Sequence, residues 1–166
     1  VSRPTQIDYT ARSASRLAAL QAIYQLELAG GAPDDVVQEF VEHRFGRDGE
    51  TGNSGAHDEA FFADIVHGVQ KHQVEIDRAV AGALSAGWTL GRIDSILRAL
   101  LRAATYELLQ RRDVPAKVVI DEYVDLARDF FDGDEPSFVN AVLDRLARAK
   151  RAAEFGQEPS GNDLGF

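Results

Sequence analysis

Cysteine is absent from the 166 residues, so there is no disulfide framework, no thiolate metal site and no cysteine nucleophile, a composition that suits a reducing compartment. No apolar run approaches the roughly 20 residues that a membrane span needs. Residues 1–9 lack the apolar stretch of a signal peptide, and the expectation is a cytoplasmic protein with no membrane contact. Strand signals are missing too, since no segment shows strict alternation or clustered β-branched residues. The Gly-Lys pair of a phosphate-cradling loop does not occur. Gly52 to Ala56 approaches a nucleophile elbow but lacks its last glycine and the strand before it. His67 and His72 are five apart and turn to different helix faces, unlike the i, i+4 pair that grips zinc. Acidic neighbours such as Asp34/Asp35 and Asp121/Glu122/Asp125 have no nucleophile or histidine placed with them. No catalytic centre, metal site or cofactor is expected.

A net charge of −9 argues at first sight against nucleic acid, because phosphate binding rests on Lys and Arg releasing counterions. The charge is segregated, however. Asp and Glu dominate residues 31–67 and 118–136, whereas residues 89–117 carry Arg92, Arg98, Arg102, Arg111, Arg112 and Lys117 against Asp94, Glu107 and Asp113. Residues 1–30 carry Arg3, Arg12 and Arg16 against Asp8 and Glu27. Such a domain can offer one side to RNA and another to a basic protein; solvated helix faces are the alternative meaning of the same runs.

Hydrophobic spacing reads as helix almost throughout. Leu17, Leu20, Tyr24 and Leu28, widened by Ile23, predict a helix from about Asp8 to Ala29, stopped by Gly30 and Gly31. Pro33 with Asp34 and Asp35 starts a second helix, reaching about Phe45. Residues 46–57 have four glycines and no large apolar side chain, which predicts a mobile loop. From Asp58, the stripe Phe62, Ile65, Val69, Ile76 and Val80 predicts one long helix ending near Gly82 to Gly87, with Trp88 at a turn. Ile93, Leu97, Leu100, Ala104 and Leu108 define a helix apolar enough to be central. Asp113, Val114 and Pro115 break it and start the next, striped by Val119, Tyr123, Leu126 and Phe130. Asp134 is placed to cap a last helix with Pro136 in its first turn and Phe138, Val142 and Leu146 on its buried face. The expected fold is all-α with about six to seven helices, either an antiparallel bundle or two small bundles around a long central helix. One domain should cover residues 1–154, followed by a disordered tail, 155–166.

Two segments carry more specific information. The first sets Arg12 and Arg16 one turn apart, then small and apolar residues, then Gln21, Ile23 and Tyr24. The second runs from Leu101-Arg102 through Tyr106-Glu107-Leu108, Asp113-Val114-Pro115 with Lys117, Glu122 and Leu126-Ala127-Arg128 to Ser137-Phe138-Val139-Asn140 and Val142-Leu143-Asp144. In order and spacing these segments resemble the NusB family of transcription antitermination factors. The resemblance implies two small helical bundles, a complex with the small-subunit ribosomal protein also called NusE, and recognition of single-stranded boxA-type RNA. It also implies work within the RNA polymerase antitermination complex that promotes processive transcription of ribosomal RNA operons, with no catalysis by this chain. A homodimer is compatible with the sequence.

The RNA-binding residues expected on this basis are Arg12, Arg16, Tyr24, Arg102, Lys117, Phe130, Asp134, Phe138 and Asn140. Arg12 and Arg16 can contact successive phosphates or stack on an unpaired base, and Tyr24 can stack or sit in a protein interface. Arg102 and Lys117 extend the positive surface, with a salt bridge the competing use of Arg102. Phe130 and Phe138 are candidates for stacking or for the core, Asp134 for RNA or the helix cap, and Asn140 for a base-directed amide. Family openings often carry a denser arginine run, whereas Ser13, Ala14 and Ser15 intervene here, which makes the ribosomal partner more necessary. Two other readings stay open. One is the N-terminal module of a ribosomal RNA cytosine methyltransferase, although these 166 residues hold neither a Rossmann segment nor a cysteine; the other is a helical scaffold that binds protein alone.

Overall fold

A computed structural model describes residues 6–45 and 58–156, with side chains from residue 11 onward. The expected loop, 46–57, lies outside the described residues, as does the expected tail from residue 157. Phe155 and Gly156, also assigned to that tail, are described and lie at the end of a 3-10 turn, Ala152–Phe155. The described residues form seven α-helices and short turns, with no strand among them. They divide into two packed units, residues 1–73 and 74–166.

The first unit contains α1 (Gln6–Ala29), α2 (Pro33–Phe40) continued by a π-helical turn (Val41–Phe45), and α3 (Glu59–Lys71). Gly30 and Gly31 end α1 with φ of 71° and 105°, a backbone that residues with a Cβ rarely adopt. Pro33 and two aspartates start α2 as the sequence predicts. α3 is capped by Asp58, whose carboxylate accepts from the Phe61 N–H at 2.9 Å. α1 packs on α3, and α2 on both. The core is aromatic where they meet: Phe62 stacks on Phe40 at 5.5 Å and meets the edge of Phe45 at 5.0 Å.

The buried face of α1 is offset from the stripe its large residues suggest. Leu28 is 62% exposed, while Ala18, Ala19, Leu20, Ala22, Ile23 and Leu26 are buried. The alanines explain the offset, because small side chains let a helix carrying Phe61 and Phe62 come close, and a stripe drawn from large residues alone misses them. His67 of α3 reaches Asp34 of α2 at 3.3 Å, which is a tie between helices.

The second unit holds α4 (Gln73–Ala83), whose first residue precedes the unit boundary, then a 3-10 turn (Leu90–Arg92), α5 (Ser95–Gln110), α6 (Ala116–Phe130) and α7 (Glu135–Lys150). The single long helix expected from Asp58 is thus two, broken at His72 with φ −107° and ψ 20°. Val69 and Ile76 are seven residues apart, about two turns, so the stripe stays in phase across the break and cannot reveal it. α5 is the central helix of this unit: ten of its sixteen residues are buried, and it packs on both α6 and α7, which pack on each other. Inside, the buried Glu107 carboxylate accepts from the Tyr123 hydroxyl at 2.6 Å.

Asp134 takes the N-cap position of α7 without capping by its side chain. Its backbone is already helical, at φ −84° and ψ −2°, and Pro136 in the first turn has no N–H to offer. By contrast Asp94 caps α5 with bonds from the Ile96 and Leu97 N–H groups.

Candidate nucleic-acid interface

In the first unit, Arg12 and Arg16 lie one turn apart on α1, yet the fold uses them differently. The Arg12 guanidinium carbon is 4.6 Å from the centre of the Phe61 ring and its Nε is 3.5 Å from Asp58, with 37% of the side chain exposed. Arg16 lies 5.0 Å from the same ring and is only 2% exposed. The adjacent Ser15 hydroxyl donates to the Asp58 carbonyl at 3.0 Å. The start of α3 is therefore fastened to α1, and of the two arginines only Arg12 keeps a surface open to a phosphate. The expectation that both face solvent does not hold for Arg16, because Phe61 and the start of α3 cover it. Tyr24 is half-buried. It lies about 18 Å along α1 from Arg12 and about 120° around it, so the two would meet different parts of a strand.

In the second unit, Arg102 makes a bidentate pair with Asp77 at 2.9 and 3.1 Å, tying α5 to α4 with only 13% of its side chain exposed. The salt-bridge use of Arg102 is the one the fold adopts, and it leaves little cationic surface for RNA. Lys117 and Asn140 are both exposed, and they line one cleft together with Asp121, Asp144, Glu154 and Phe155. Asp134 and Phe138 line a second groove, where Phe138 meets the half-exposed Trp88 at 5.9 Å and 49°. Phe130 ends α6 at 38% exposure and is not part of either lining, so the ring is not the core residue its stripe suggests. The structure thus pairs Lys117 with Asn140 and Asp134 with Phe138, and gives Arg102 and Arg16 interior positions.

Sequence reasoning missed three residues around these sites. Trp88 reads as a turn residue, but it doubles the aromatic surface beside Phe138. Arg151 is 3% exposed, and its guanidinium donates to the carbonyls of Glu107, Leu108, Arg111 and Val114, closing the C-terminal end of α5 and the turn after it. Glu154 accepts from the Ala116 N–H at 2.9 Å, at the start of α6, and from Arg151 at 3.2 Å. Burial pushes the Glu154 carboxyl up, but the Ala116 N–H, the Arg151 hydrogen bond and charge, and the Arg112 charge together hold it below its ordinary value. The only sequence signal for Arg151 was a cation just past the last turn of a helix.

The NusB family profile matches residues 13–148. The chain belongs to the NusB family. A relative from Caulobacter vibrioides, named transcription antitermination protein NusB, is 50% identical over 140 residues, covering 84% of this chain and 94% of the relative. Among solved structures, NusB of T. maritima is similar with a TM-score of 0.70 and 29% identity, covering 87% of this chain and 96% of that one. A complex of the antitermination factors NusB and NusE with dsRNA gives a TM-score of 0.67 at 25% identity, covering 82% and 96%. The NusB match takes in Arg16, Tyr24 and every expected site residue of the second unit. It starts one residue after Arg12 and ends three before Arg151.

Proposed function

We propose that this chain is a transcription antitermination factor of the cytoplasm that binds single-stranded boxA-type RNA together with a NusE-type ribosomal protein. It works within the RNA polymerase antitermination complex on ribosomal RNA operons, and it acts by binding, with no catalysis of its own. The observation that carries this reading is the likeness to the solved NusB and NusE complex with dsRNA, over 96% of the chain compared. The geometry supports a division of labour. Arg12, Lys117 and Asn140 present charge and hydrogen-bond donors at the surface; Tyr24, Phe130 and Phe138 present rings on which bases can stack. Asp134 offers an acceptor at the groove of Phe138. Arg16, behind Phe61, and Arg102, behind Asp77, position the surfaces around them.

The acidic total charge makes binding by the isolated chain weak, and a basic ribosomal partner supplies the missing positive surface. A titration of labelled boxA-type RNA should therefore show tighter binding by the mixture with the cognate ribosomal protein than by either protein alone. Replacing Arg12 and Lys117 together with Ala should flatten the log-log salt dependence of that binding by about 1.4, at about 0.7 per phosphate lost. Affinity of the mixture no greater than that of the better single component would remove the joint-binding reading.

A further inference from the structure

We infer that a groove of the second unit, rimmed by Arg78, Arg145 and Lys150 and floored by Leu109 and Leu146, is a second RNA-backbone site. It rests on the RNA-binding function proposed above and places on α4 and α7 a contact for strand lying beyond the recognised element. The groove has a volume of about 480 Å³, within the range of roughly 300–1,000 Å³ typical of ligand sites. Its lining holds three cationic side chains and one carboxylate, Glu75, in a chain whose net charge is −9.

Several arginines of this acidic protein are neutralised locally: Arg12, Arg102, Arg111, Arg128, Arg148 and Arg151 each have a carboxylate within 3.5 Å. Arg78 and Lys150 are exposed and have no ion-pair partner among the described residues. Arg145 donates to the Ala83 carbonyl at 2.6 Å, which offsets the negative C-terminal end of α4 and holds its guanidinium on the rim. Steric access comes from α4 itself. A Cβ built on Gly82 meets nothing within 4 Å, so the wall is open where a side chain would otherwise stand. Phosphates then meet the cations while a sugar or base lies against the two leucines, the pairing of charge and apolar surface that single-strand sites use.

The test uses the full chain with its cognate ribosomal partner and two labelled RNAs, the short boxA-type element and the same element extended by about ten nucleotides at each end. Arg78→Ala with Lys150→Ala should leave the short RNA unaffected and lower the salt slope for the extended RNA by about 1.4. Between 50 and 200 mM salt, the wild type should then lose about sevenfold more affinity for the extended RNA than the double variant does. Gly82→Glu, which places a carboxylate in the open wall, should weaken the extended RNA similarly, while Gly82→Ala should not; circular dichroism checks that each variant folds. Wild-type affinity and slope in both the double variant and Gly82→Glu, with Arg12→Ala still weakening both RNAs, would overturn the groove and leave the RNA-binding function standing. Weaker binding of the ribosomal partner in the absence of RNA would reassign the groove to protein and overturn it equally. Failure of the wild-type mixture to bind either RNA would remove the function and the groove together.

Discussion

Arg12 and Arg16 show how far one residue type can diverge within a single turn of helix. Both guanidiniums lie near Phe61, but Arg16 is sealed in and Arg12 is about one-third exposed. Arg16→Ala removes a large buried side chain and a cation over a ring, so it should destabilise the protein by about 2–3 kcal/mol. Arg12→Ala loses a partly exposed pair and should change stability by less than about 1 kcal/mol while weakening RNA binding. Urea unfolding and RNA titration of the two single variants separate these effects. A stable Arg16→Ala with impaired RNA binding would return Arg16 to the binding surface. Spacing alone could not tell the two arginines apart, because both face the same side of α1 and only the position of α3, brought in from residue 58 onward, decides which one is covered.

At the scale of elements, the short segment after α7 holds two helix termini at once. Arg151 satisfies carbonyls at and just beyond the end of α5, and Glu154 accepts from the first N–H of α6. Arg151→Ala strips its guanidinium from all of those carbonyls in a mostly buried place, although the Glu107 and Arg111 carbonyls keep backbone donors from Arg111 and Val114, and the expected loss is about 3 kcal/mol, read as a lower urea midpoint. Glu154 adds a pH dependence. Its folded-state pKa lies below the ordinary 4.5, so its contribution is fully present above that value and is lost as pH falls through the lower folded value. Stability followed from pH 7 to pH 3 should therefore fall less steeply in Glu154→Gln than in the wild type, and equal slopes would show that Glu154 is not linked to folding. Helix existence and type were legible from the 3.6-residue period, and so was the central place of α5. The break at His72, the idle carboxylate of Asp134 and the reach of Arg151 were not, because each depends on backbone geometry or on acceptors 37 to 44 residues away.

Across the whole molecule, the candidate site was legible as a set of residue types but not as a set of roles. Lys117 and Asn140 share a cleft, and Asp134 and Phe138 share a groove with Trp88, whereas Arg16 and Arg102 spend their charge on the interior. Burial of a cation follows from which helix lies above it, and neither local charge counts nor family order encode that. The position of Arg151 has a consequence for how the protein is made. Synthesis proceeds from the N-terminus, and Arg111, whose carbonyl Arg151 closes, emerges 40 residues earlier. At about 5–20 residues per second that interval lasts about 2–8 s, during which the end of α5 has its backbone donors but not the Arg151 guanidinium. Nascent chains stalled before Arg151 has emerged should resist protease across residues 11–45 and be cut within residues 95–130, and chains stalled well after it should resist in both. Protection of the second unit before Arg151 emerges would show that its vectorial folding does not wait for the last helix to deliver that side chain.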